Sequence, residues 1–200
     1  DSLILENDRD LRYHRAINKA YGTEDFLIIT YTPFEELLSE NSLDVLRELK
    51  EDLSKLDRIK SVVSILDVPL LESPRIKISD LESNKRTLDT PGLDKKLAQK
   101  EFISSPIYKK LLVSPDGKTA ALLAFYERDK KYYSLMEVRD NLREKKRSKK
   151  SLTPEEHIKL VEVSTEFKKY LAYIQDVQGE EIKQVRTILD KYRDRAKIFL

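Results

Sequence analysis

Two strand-length apolar runs with one amphipathic helix between them constrain this chain more than any other feature. "DFLIITYTP" (25–33) is β-branched and aromatic, almost continuously apolar, and stopped by Pro33. Such a run predicts a strand covered on both faces. "NSLDVLRELKEDLSKL" (41–56) follows, opened by Asn41 or Ser42 as a cap, with Leu43, Leu46, Leu49, Leu53 and Leu56 at helical spacing. "RIKSVVSILDVP" (58–69) is a second strand that again ends at a proline. Strand, helix and strand within about forty residues form a βαβ unit, whose strands should run parallel with a right-handed crossover.

Around this unit the remaining signals are local. Asn7 or Asp8 caps a helix running to about Tyr21, with Leu11, His14, Ile17 and Tyr21 on one side and Gly22 as its stop. Residues 69–90 hold two prolines and no period, the pattern of a long loop. In "TPGLDKKLAQKEFISS" (90–105), Thr90 is the expected N-cap and Pro91 the first helical residue. "YKKLLVSPDGKTAALLAFYER" (108–128) reads as a β-hairpin turning at Pro115-Asp116-Gly117. Residues 1–128 thus predict an α+β subdomain, a four-stranded sheet with helices on one face.

From Asp129 onwards the strand signals stop, and residues 129–200 read as a helical arm. Leu135, Val138 or Arg139, and Leu142 share one face; Thr153 and Pro154 then open a second helix. Its stripes, Leu160–Val163–Phe167–Tyr170–Ile174 and Ile182–Val185–Leu189–Tyr192–Ala196–Phe199, resemble coiled-coil seams. Gly179 between them is a bend or a weak point in one long helix.

Composition narrows the chemistry. The 200 residues contain no Cys and only two His, which removes disulfides, thiolate metal sites and Cys nucleophiles. Only four Gly argue against a Gly-rich phosphate loop. Residues 1–100 carry 16 basic and 20 acidic side chains, net −4; residues 101–200 carry 22 and 16, net +6. The basic excess gathers at "REKKRSKKS" (143–151), six cations in nine positions. That run reads as a solvated tip between helices, with anionic lipid headgroups as an alternative partner. No aromatic platform accompanies it, so nucleic acid is not expected. His14 lies on an apolar stripe and His157 among surface carboxylates, while Glu35-Glu36 and Glu51-Asp52 are adjacent rather than opposed across a cleft. No catalytic residue, cofactor site or metal site is expected, and the chain does not read as an enzyme.

The order of the pieces resembles a known family. "DSLILENDRDLRYHRAINKAYG", then "DFLIITYTP", "IKSVVSILDVPLLESP" and "TPGLDKKLAQKEFISSPIYKKLLVSPDGKTAALLAFYERD" look like the first extracytoplasmic loop of resistance–nodulation–division (RND) exporters. The branch is that of the MmpL lipid exporters and hopanoid carriers, and the arm leading to "YRDRAKIFL" also resembles it. The resemblance implies a porter-type, ferredoxin-like domain in the periplasmic part of an inner-membrane protein, with membrane helices ending before Asp1 and starting after Leu200. It implies proton-driven export of hydrophobic or amphiphilic, lipid-like molecules by alternating access. The proton-relay carboxylates would lie in the membrane helices, and the partners would be those helices and a second homologous loop. Phe102, Ile107 and Tyr108 are the candidates for the substrate path, against the plainer reading that they pack the core. The competing class is an extracytoplasmic scaffold or sensor that uses its arm to bind a partner or dimerise.

Overall fold

The computed structural model describes residues 25–71, 86–148 and 151–200; the expected helix at 7–21, His14 and most of the 69–90 loop lie outside these residues. Four strands, β1 (Phe26–Pro33), β2 (Ile59–Val63), β3 (Ala120–Tyr126) and β4 (Ala196–Phe199), form one sheet in the order β2-β3-β1-β4. Helices α1 (Glu40–Ser54), α2 (Lys95–Ser104), α3 (Lys130–Arg147) and α4 (Pro154–Asp190) connect them. The fold class is α+β, as expected, and the sheet order is ferredoxin-like. β1 and β2 are each antiparallel to β3, so they run parallel to each other with β3 inserted between. The βαβ unit is therefore split.

Side-chain alternation explains which face the helices take. Along β1, Ile29 and Tyr31 are fully buried while Phe26 and Ile28 are about half exposed, at 47% and 54%. β1 is thus not covered on both faces by the described residues: its Phe26-to-Ile29 stretch is apolar on both faces, but α1 and α4 pack on one of them. The α1 stripe delivers Leu43, Leu46, Leu49 and Leu53, each fully buried. Truncating any one to Ala would cost about 2–5 kcal/mol. The phenol of Tyr31 crosses this core and donates to the Ser42 carbonyl at 2.8 Å, so its one polar atom is satisfied.

Several boundaries differ from expectation, each for a local reason. The α1 cap is Ser39, whose Oγ accepts from the Ser42 amide at 3.2 Å, while Asn41 turns its amide to Glu35 at 3.1 Å. Helix α2 starts at Lys95 under an Asp94 cap, whose carboxylate accepts from the Lys96 and Leu97 amides. Thr90-Pro91-Gly92 forms a turn instead, because Gly92 sits at φ 74°, outside helical space. β2 ends at Val63, where the Asp67 carboxylate draws Ser64 into a turn through both its amide and hydroxyl.

The fourth strand is the largest correction. The 114–117 turn is present, with Gly117 at φ 70° and its amide 2.9 Å from the Ser114 carbonyl. Its first arm, however, contributes only isolated bridges at Val113, and no ladder strand. β4 supplies the strand instead, pairing Tyr31 with Ile198 and Pro33 with Ala196. The helical period thus ends after α4, and a turn at 191–195 converts it to the alternating pattern Ala196 in, Lys197 out, Ile198 in, Phe199 out. Phe199, expected on a helical seam, is 65% exposed.

The core also crosses residue 128. Val185, Ile188, Leu189, Tyr192, Ala196 and Ile198 belong to the same buried cluster as Ile29, Leu46 and Leu122. Tyr192 donates to Asp52 at 3.0 Å and Arg195 to Glu48 at 2.9 Å, fastening the C-terminal turn to α1. What stands away from the sheet is the hairpin of α3 and the first half of α4. α4 runs 37 residues without interruption through Gly179.

Candidate functional site

The α3–α4 hairpin is built by strong caps and thin packing. Asp129 caps α3 by accepting from the Tyr132 amide at 2.9 Å, and the same carboxylate receives the Tyr170 hydroxyl at 3.1 Å. Thr153 and Glu156 form a reciprocal capping box at the start of α4. Glu156 also accepts from Lys145 at 2.5 Å, which locks the two helices across their connection and holds its carboxyl below the ordinary range. α3 has no fully buried residue; α4 contributes Val163, Phe167 and Ile174. Cations complete the seam by lying on rings: Arg139 is 4.0 Å from the Phe167 centroid and Arg128 4.4 Å from that of Tyr133.

Near the hairpin tip α3 and α4 line a groove of about 460 Å³. Arg143, Lys146 and Arg147 of α3 and Lys168 of α4 line it, and Ser164 and Thr165 add hydroxyls. Leu160 and Val161 form an apolar floor, and no carboxylate lines the groove. The last turn of α3 is where cations also complement the negative end of the helix dipole.

A second cleft, of about 370 Å³, lies at the root of the hairpin where α4 leaves the sheet. Arg58 and Glu181 pair across it at 3.3 Å, with Arg58 beside the Tyr126 ring. Burial pushes the Glu181 carboxyl above its ordinary value, and Arg58 opposes that shift. The pair joins the residue just before β2 to α4, so its position is that of a clamp on the hairpin.

The third feature is the sheet face opposite the helices. Cross-strand pairs Phe26–Phe125 and Ile28–Leu123 line it, with Val63 beside Leu123 and Phe199 beside Thr30. The Phe26 and Phe125 rings lie 5.4 Å apart. Phe26, Ile28 and Phe199 remain about half or more exposed. Single exposed apolar side chains are ordinary, whereas a contiguous set marks a contact surface.

Of the expected path residues, the structure brings Phe102 and Tyr108 together and leaves Ile107 apart. Phe102 and Tyr108 are 1% and 3% exposed, with ring centroids 5.6 Å apart, and the Tyr108 hydroxyl donates to the Pro69 carbonyl. Ile107 is 55% exposed. His157 is a surface residue with Nδ1 3.3 Å from the Thr153 carbonyl. Among the described residues no group of His, Asp or Glu is placed to hold a metal ion, and no helix is long and apolar enough to cross a membrane. Sequence reading missed the apolar sheet face, although "FLI" and "KIF" carry it once the strand pairing is known. It also missed Ser164, Thr165 and Lys168, whose link to the basic run depends on hairpin geometry. Comparisons with protein-family models, curated proteins and solved structures find no match to the chain.

Proposed function

We infer that this chain is a porter-type domain of an RND-type membrane exporter, situated outside the cytoplasm and handling hydrophobic or amphiphilic molecules. The observation that carries the reading is the split βαβ sheet on which, among the described residues, the helices pack on one side while Phe26, Ile28 and Phe199 stand exposed on the other. Such a face suits sliding contact with a second layer or with an oily cargo, since apolar surface is attractive without being directional. Energy enters elsewhere in this mechanism. Protons bound within membrane helices bias two arrangements, and the sheet layers tilt as rigid bodies between them.

The scaffold alternative would use the α4 seam to dimerise. Val185 and Leu189 of that seam are occupied within the chain's own core, so a dimer built on them would have to open the fold. The exporter reading is tested by efflux of a fluorescent lipid analogue from cells producing the intact polypeptide. Efflux that stops when a protonophore collapses the gradient supports it. Efflux absent in energised cells, or indifferent to the gradient, would overturn it.

A further inference from the structure

We propose that the groove between α3 and α4 is a binding site for a phosphate-bearing headgroup, with Lys146 and Lys168 as its principal donors. The basic run alone does not define such a site, because cations at a helix C-terminus already have a local role. The hairpin adds what the run lacks. Lys168 approaches from the opposite helix, Ser164 and Thr165 bring hydroxyls, and Leu160 and Val161 supply an apolar floor to the same groove.

Charge and shape select the ligand class. The lining residues include four cations and no carboxylate, and a phosphate offers several acceptor oxygens to ammonium, guanidinium and hydroxyl donors together. Arg143 and Arg147 hold further contacts of their own, and the exposed Lys146 and Lys168 are the adaptable donors. Thr165 donates its hydroxyl to the Val161 carbonyl at 2.8 Å, which leaves its oxygen as an acceptor and makes Ser164 the hydroxyl donor to the ligand. Val161 is 66% exposed and Ile158, one turn before it on α4, is 60% exposed. An anionic amphiphile would lay its first methylenes there. No aromatic ring lines the groove, and an extended nucleic-acid strand would want stacking platforms along a longer track. The site stands independently of the exporter reading, because it concerns equilibrium binding by the isolated chain.

Co-sedimentation with phosphatidylcholine vesicles, with and without phosphatidylglycerol, tests the site. The expected result is binding only to the anionic vesicles, weakened by salt and reduced about tenfold or more by Lys146→Gln with Lys168→Gln. Removing the same charge at Lys109 and Lys118, away from the groove, should change binding less than about twofold. Both doubles should unfold at the parent temperature, because all four residues are surface lysines. Inorganic phosphate and short-chain phosphatidylglycerol then identify the source. Displacement of vesicles by either supports the groove, the first assigning it to phosphate alone and the second to an amphiphile. Equal losses in the two double variants, unchanged vesicle binding in the groove double, or tighter binding to a single-stranded oligonucleotide would overturn the proposal.

Discussion

Tyr31 shows what a single side chain does here. Its ring is fully buried and its hydroxyl reaches Ser42. Burial pushes its pKa from the ordinary 10.0 up to about 12. The sign follows from linkage. The unfolded chain loses this proton near pH 10 while the folded one keeps it, so stability present below pH 10 drains away as pH rises through about 12. The loss amounts to roughly 2–3 kcal/mol. Tyr31→Phe should cost about 1 kcal/mol at neutral pH from the missing hydrogen bond, yet lose less stability between neutral and strongly alkaline pH than the parent. Chemical denaturation across that range checks both parts; an identical alkaline fall in both proteins would show that Tyr31 is not responsible. Residue roles of this kind were only partly legible in the sequence. The α1 leucines announced their burial by spacing. Phe26 and Ile28 could not be told from Leu27 and Ile29 in an unbroken apolar run, because strand alternation assigns faces only after the helices have chosen one.

At the scale of elements, two glycines make opposite predictions. Gly179 lies inside α4 with nothing within 4 Å of where a Cβ would stand. Gly179→Ala should therefore stabilise by about 0.5–1 kcal/mol and raise the unfolding temperature by a few degrees. Gly117 has φ 70° and a Cβ there would meet Ile103 Cδ1 at 2.8 Å. Gly117→Ala should destabilise by more than about 1 kcal/mol. Calorimetry on the pair settles both signs, and a Gly179→Ala protein that melts lower would contradict an uninterrupted α4 at that position. The Thr153 cap was readable because an N-cap is a local event with its own residue preference. β4 was not. "AKIF" is short, follows a long helical stripe, and acquires its partner from a strand more than 160 positions earlier, as the Tyr31–Ile198 pair shows. Nothing local distinguishes such a segment from the last turn of a helix.

For the molecule as a whole, the consequence is that the chain does not divide at residue 128. β4 closes the sheet beside β1, and Val185, Leu189 and Tyr192 roof the same core that α1 fills. A chain truncated after Arg128 should lose cooperative unfolding, because the buried face of β1 and α1 would stand open. A sharp melting transition from that fragment would contradict the shared core. The same geometry bears on dissecting function. Deleting the whole of 129–198 would destroy the domain along with the arm, whereas shortening only the tip leaves the sheet intact. The exporter account depends on the open sheet face meeting another surface, and that face can be altered with little effect on stability because its side chains are exposed. The most direct test is lipid-analogue efflux by the intact polypeptide carrying Ile28→Ser with Phe199→Ser, with membrane insertion measured alongside. The account predicts normal insertion and a loss of efflux of about tenfold. Efflux at the parent rate from a normally inserted double variant would contradict it.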